Sequence, residues 1–161
     1  MSADAGAKNP LGLIHIGVAA KDAEDTSKFL SSTWGIGPWQ TMDYVSPKNQ
    51  MIVGEPFTLK IMYAELGPIG LELLQPVKSP RSVWAQFIKT NGEGIHHIAF
   101  NLANWDEVVK KLQEQGSKML ACARVKGGEH DGKKWCYMEM KPGGIVVELL
   151  QNHDPFAKRK S

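Results

Sequence analysis

The sequence predicts an α+β fold in which one βαβββ unit is used twice. Two strand-like segments, Leu13 to Val18 and Ile95 to Phe100, each carry His-Ile near their middle, as His15-Ile16 and His97-Ile98. Glu72 follows His15 by 57 residues and Glu148 follows His97 by 51, both inside the identical string Glu-Leu-Leu-Gln. Between these anchors the order of helical and strand-like stretches repeats, which is the signature of a duplicated supersecondary unit.

Each element has a local cause. After the first His strand, Asp22 to Thr33 has helical spacing, with Thr26, Phe29, Leu30 and Thr33 on one stripe; Asn104 to Gln115 is its counterpart. Asp22 and Asn104 are suited to N-caps, and Gly35 and Gly116 stand where each helix should stop. Strand-like runs follow at Trp39 to Ser46, Phe57 to Leu66 and Ile69 to Gln75 in the first copy. Those of the second copy are Lys118 to Val125, Lys133 to Met140 and Ile145 to Gln151. Gly67-Pro-Ile-Gly70, Lys141-Pro-Gly-Gly144 and Asp131-Gly132 supply turn chemistry between them. A helix over Pro80 to Thr90, with Val83, Trp84, Phe87 and Ile88 apolar, links the copies. The organisation read from this is a tail over 1–10, a single domain over 11–151 with copies 11–76 and 94–151 around a linker helix 80–90, and a tail over 152–161.

The chain of 161 residues matches one domain on a prior of ~150 residues each. With 42% hydrophobic and 22% charged residues it excludes wholesale disorder. A formal charge of +2 is too small to gather nucleic acid, and Lys158-Arg159-Lys160 read as a solvated end. No run approaches the ~18 apolar residues of a membrane span, and Met1 to Pro10 is not signal-like. The expectation is a soluble, cytoplasmic protein with no nucleic-acid or membrane partner. Cys122 and Cys136 are too few and too widely spaced for a disulfide scaffold or a CxxC site, so two free thiols are expected.

Strand parity puts Ile14, Ile16 and Val18 on one face and His15 on the other, and treats Ile98, Phe100 and His97 alike. Glu72 and Glu148 lie in strands rich in leucine and valine, where an unpaired carboxylate is costly to bury. Four satisfied core polar groups are one reading of His15, Glu72, His97 and Glu148. Their repetition in phase favours the other, convergence on one divalent metal. Imidazole with carboxylate suits zinc, nickel, cobalt, manganese or iron(II), whereas calcium would take oxygens alone. His96 has the opposite parity and is expected to face a helix or solvent.

The stretches HIGVAAKD at His15, LELLQP at Glu72, GEGIHHIAFNL at His97 and GGIVVELLQ at Glu148 resemble the vicinal oxygen chelate superfamily. Within it, the similarity is to the glyoxalase I and methylmalonyl-CoA epimerase branch, and it runs from Leu11 to Gln151. The resemblance implies two modules edge to edge in a cupped, eight-stranded mixed sheet, with helices outside and one metal inside, held by His15, Glu72, His97 and Glu148. It implies a homodimer acting on a small 2-oxo, acyl-thioester or glutathione-adduct compound. Proton transfer next to the carbonyl or thioester would pass through a metal-chelated enolate, with isomerase or epimerase ahead of lyase and Glu148 as the base.

The pattern also departs from the family. The non-ligand glutamate of the epimerases falls on Lys60, which shares parity with Met62 and is expected to face the cup and grip an anionic substrate group. Arg81 and Arg124 are the only arginines before the tail and offer no evident pair for glutathione carboxylates. Glu72, as a fourth ligand, argues against an extradiol-type dioxygenase, and full retention of the ligands argues against a metal-free binding or resistance protein. Met62, Trp135 and Tyr137 are candidate substrate contacts. Trp34, Trp39 and Met140 are weaker ones, because aromatic and methionine residues on strands are more often plain core. Lys126 to Gly132 is a candidate mouth loop.

Overall fold

In the computed structural model, which describes residues 12–156, the first His strand is β1 (Gly12–Ala19). The helix α1 (Ala23–Trp34) follows it, then β2 (Gln40–Ser46), β3 (Met51–Val53), β4 (Phe57–Leu66) and β5 (Ile69–Pro76). The linker helix is α2 (Val83–Asn91). The second copy runs β6 (Gly94–Leu102), α3 (Trp105–Glu114), β7 (Lys118–Arg124), β8 (Lys134–Glu139) and β9 (Val146–Gln151). Lys158 to Lys160 lie outside the described residues. No helix among the described residues is long and apolar enough to cross a membrane.

Cap chemistry fixes where α1 begins and ends. The Asp22 carboxylate accepts from the Asp25 amide at 2.9 Å, and Gly35 turns the chain at φ 68°, its amide returning to the carbonyls of Leu30 and Ser31. The linker helix starts at Val83 rather than Pro80, because the Ser82 hydroxyl accepts from the Ala85 amide and serves as its N-cap. Asn104 precedes α3, but its side chain makes no capping bond.

The strands form one mixed sheet in the order β2-β4-β5-β1-β6-β9-β8-β7-β3. The two copies meet where β1 runs antiparallel to β6, so the repeats are joined edge to edge. There are nine strands rather than eight. The additional strand, β3, leaves the first copy and pairs with β7 of the second, Met51 opposite Ala123 and Val53 opposite Cys122. Because β2 and β3 are the two sheet edges and only Pro47 to Gln50 separate them in sequence, the sheet curls until its edges approach. Trp135 on β8 bridges the gap by donating to the Tyr44 hydroxyl on β2 at 2.9 Å.

The convex face is covered by α1, whose Ala23 packs with Met62 and Leu73, and by α3, whose Trp105 and Val109 pack with Val147 and Leu149. Trp105 also donates its indole N–H to the Leu149 carbonyl at 2.8 Å. Only these two helices lie outside as expected. Helix α2 instead presents Trp84, 1% exposed, to the concave side, where it meets Phe57 with ring centroids 4.7 Å apart. Cys122 and Cys136 are free, buried, and opposite one another on β7 and β8. The stretch 152–156, assigned to a tail by sequence, folds back: His153 and Phe156 are buried, and Phe156 stacks on Tyr63 at 4.0 Å.

Candidate metal centre

The strands β5, β1, β6 and β9 are consecutive in the sheet, and each contributes one of the four repeated polar residues. Register puts them on one level. Gly17 lies opposite both Glu72 and His97, and Ala99 lies opposite both His15 and Glu148. Directly opposed residues share a face of the sheet, so all four side chains enter the cup.

Their donor atoms converge within 4.8 Å of one another. His15 Nε2 stands 3.0 Å from Glu148 Oε2, 3.2 Å from Glu72 Oε2 and 3.3 Å from His97 Nε2. His97 Nε2 is 3.3 Å from Glu148 Oε2 and 3.6 Å from Glu72 Oε2. Donors bound at ~2.1 Å to one ion sit ~3.0 Å apart when adjacent, close to this spacing. The cluster is also incompletely satisfied as a purely polar core. Glu72 Oε2 and His15 Nδ1 are buried without a hydrogen bond of acceptable geometry. Two imidazole nitrogens facing each other cannot both donate and both accept, whereas a shared cation takes a lone pair from each Nε2 and from the Glu72 and Glu148 oxygens.

Two glycine-sized gaps allow the convergence. A Cβ at Gly17 would fall inside the His97 ring, and one at Gly70 would fall inside the Tyr63 ring. Gly17→Ala is therefore expected to swing His97 away, weaken metal retention and lower stability by about 1–3 kcal/mol. Elemental analysis and a denaturant melt check both, and retention of full metal content would contradict the packing argument.

His96 does face helix α2 as expected, 5.2 Å from the Phe87 ring centroid, but it also reaches the site. The β1–β6 ladder slips between Gly17 and Val18, whose partners are His97 and Ile95, so His96 is the extra residue of a bulge. The bulge breaks the alternation and brings His96 Nδ1 within 3.0 Å of His97 Nδ1. Burial first, and the neighbouring His97 second, push the His96 pKa down to about 3, which keeps it neutral and able to accept from His97 Nδ1–H. Orienting partners of this kind are worth ~10–100-fold in metal affinity. His96→Phe should show a loss of that size in a competition titration with a chelator, and unchanged affinity would remove the orienting role.

Lys60 and Met62 are not in the cup. Tyr63 pairs with Glu72 and Ile61 with Leu74, so the odd-numbered residues of β4 share the face of Glu72. Met62 packs beneath α1, and the Lys60 ammonium pairs with Glu24 on α1 at 2.7 Å. Along β4 the buried Phe57, Leu59 and Ile61 alternate with the partly exposed Thr58 and Lys60, so the alternation itself turns Lys60 outward, against the position that matching it to the epimerase glutamate implies. Trp135 and Tyr137 do line the cup. Trp34 is exposed, Trp39 packs with the α1 cluster and Met140 with the α3 cluster. Of the candidate mouth loop only His130 borders the cavity, joined by Val125 just before it and by His153 and Pro155 after β9.

Charge in the centre is strongly coupled. Burial opposes protonation of His15, but the carboxylates of Glu72 and Glu148 outweigh it and raise its pKa to about 10. Burial likewise opposes ionisation of Glu148 and Glu72, and the two imidazoles hold both below the ordinary carboxylate value. A raised histidine stabilises below its ordinary 6.5 and loses this as pH rises through 10; lowered carboxylates stabilise above their ordinary 4.5. Metal-free protein should then melt highest between those ordinary values and lose stability toward pH 10. Bound metal, by replacing the proton, should flatten the alkaline side. Melting curves across pH with and without chelator decide this.

The Glyoxalase/Bleomycin resistance protein/Dioxygenase superfamily model matches residues 14–137. The chain is 30% identical over 146 residues to the mitochondrial methylmalonyl-CoA epimerase of Bos taurus, covering 86% of this chain and 73% of that protein. It is 25% identical to an ethylmalonyl-CoA/methylmalonyl-CoA epimerase of Cereibacter sphaeroides, covering 86% and 96%. Among solved structures, a Streptomyces coelicolor methylmalonyl-CoA epimerase in complex with 2-nitronate-propionyl-CoA superposes with TM-score 0.63 at 25% identity, covering 88% of this chain and 97% of that one. The duplicated topology, the convergent His and Glu side chains and the model match over most of the chain lead to one assignment. The chain belongs to the Glyoxalase/Bleomycin resistance protein/Dioxygenase superfamily.

Proposed function

We propose that this chain is a divalent-metal-dependent epimerase-type enzyme that removes and returns a proton on the carbon next to a thioester or carbonyl. The observation that carries the reading is the meeting of two imidazoles and two carboxylates at the floor of an apolar cavity, with Glu72 and Glu148 both on its wall. His15, Glu72, His97 and Glu148 would hold the ion. When bound, a zinc, nickel, cobalt, manganese or iron(II) ion would supply Lewis-acid stabilisation of the charge that develops on the substrate oxygen.

The rest falls to the chain. Glu148 is the base, its low pKa keeping it ionised at neutral pH. Tyr137, directly opposite Glu148 in the β8–β9 ladder and buried, borders its carboxylate and keeps bulk water away. Inversion needs a second group on the other side of the carbon. With Lys60 turned to Glu24, Glu72 is the other carboxylate bordering the cavity and takes that part. The epimerase relatives support acyl-CoA thioesters as the first substrates to try. Assembly as a homodimer belongs to the same reading, supported by the exposed Phe29 and Trp34 on α1.

The test is proton exchange. Metal-reconstituted protein in D2O should place deuterium at C2 of a 2-substituted acyl-CoA and scramble its configuration, read by NMR and chiral analysis. Absence of exchange with methylmalonyl-CoA and with larger 2-substituted thioesters would remove the reading. A second reading, a lyase using the same base, would show as carbon–sulfur or carbon–carbon cleavage products in the same sample.

A further inference from the structure

Above the four donors lies a cavity of about 230 Å³. Its walls are largely aromatic: Tyr44, Phe57, Trp84, Trp135 and Tyr137 meet one another at ring-centroid separations of 4.7 to 6.4 Å, mostly edge to face. Leu59, Ile61, Leu74 and Leu150 complete them. We propose that the compound taken here carries, beside its reacting carbon, a large uncharged apolar group, an aryl ring, that fills this cup; the proposal rests on the proton-transfer reading above and specifies its substrate class.

Three features point this way. A methyl group beside the reacting carbon would leave most of the space empty, and water would find too few polar partners on such walls. Among the described residues bordering the cup there is no lysine or arginine, and the floor carboxylates of Glu72 and Glu148 already match the charge of a divalent ion. A second carboxylate reaching into the cup would lose its hydration with no cationic side chain to replace it. An aryl ring, by contrast, meets ring edges and faces in the geometry that such rings prefer.

The polar groups stand at the floor and at the rim. His130 and His153 face each other with centroids 5.1 Å apart beside Pro155, so the polar remainder of a substrate lies at that rim while its apolar group points inward.

The experiment is isothermal titration of the zinc- or cobalt-reconstituted protein with phenylacetyl-CoA, propionyl-CoA and methylmalonyl-CoA. Phenylacetyl-CoA should bind at least tenfold tighter than either of the others. Ile61→Trp, which fills the cup from β4, should erase that preference, with its melting curve checked against the parent protein. Equal or tighter binding of propionyl-CoA or methylmalonyl-CoA, or binding of none of the three, overturns the proposal. Deuterium exchange at C2, run on 2-phenylpropionyl-CoA and methylmalonyl-CoA, separates it from the reaction itself. Aryl preference without exchange removes the proton-transfer reading and keeps the cup's selectivity. Exchange without aryl preference does the reverse.

Discussion

Glu148→Gln is expected to slow interconversion of the two configurations at the substrate carbon by at least the ~10²-fold typical of a lost general base, in molecules that still hold metal. The amide keeps the size of the side chain and one oxygen that can face the ion, but it cannot take a proton. His15 and His97 both reach Glu148, and in the metal-free centre their imidazoles hold its carboxylate below the ordinary value. Substrate binding should be nearly preserved, so the loss should fall on kcat rather than KM. Metal content measured on the same sample separates the two duties of the residue. Full metal with full activity would show that proton transfer is centred elsewhere. Glu72→Gln gives the matching comparison, because a two-carboxylate scheme predicts that exchange from one configuration survives each single change.

The second large effect is loss of the ion itself. The parent protein should retain roughly one transition metal per chain, and the double substitution His15→Ala with Glu148→Ala should retain none, since it removes two of the four converging donors. A ligand that binds only the folded state at a thousand times its Kd stabilises by ~4 kcal/mol, which for a chain of this size corresponds to roughly 8–16 °C in Tm. Chelation should lower the melting point of the parent by that order and leave the double variant unmoved. The change will be somewhat smaller at mildly acidic pH, where a proton on His15 between the two carboxylates takes over part of the ion's role. Unchanged metal content in the double variant would refute the centre.

Which parts of this were legible in sequence follows from physics. His15, Glu72, His97 and Glu148 could be read together because duplication wrote the same polar pair twice into apolar strands, and a second occurrence in phase is hard to explain by core packing alone. Both outer helices were legible from spacing, and the first also from its Asp22 and Gly35 caps, although Phe29 of the expected stripe stays exposed and Asn104 makes no capping bond. Lys60 and Met62 were misplaced because the resemblance sets Lys60 on a glutamate of the epimerases, whereas the alternation of Phe57, Leu59 and Ile61 with Thr58 and Lys60 already turns the lysine outward, as the pairing of Tyr63 with Glu72 bears out. His96 was only partly legible because one slipped residue in the ladder redirects a side chain without changing composition. Met51 to Val53 is too short to stand out as a strand, and its partner is far away in the chain. The burial of His153 and Phe156 had no periodic signal at all, since five residues with a proline read as a loop wherever they pack.

The reach of β3 across to β7 also bears on how the molecule forms. The strand pairs Met51 with Ala123 and Val53 with Cys122 are about seventy residues apart, so one edge of the sheet is completed by a contact of high sequence separation, the kind that slows folding. During synthesis the first repeat can fold its helix and central strands, yet its short third strand has nothing to pair with until the second repeat has emerged. The repeats are thus held to one another at two places, the β1–β6 seam and this distant stitch. Neither half is a separable folding unit. A half-length chain of one repeat would have to find the same stitch in a second copy of itself, whereas the duplicated chain carries it inside a single polypeptide.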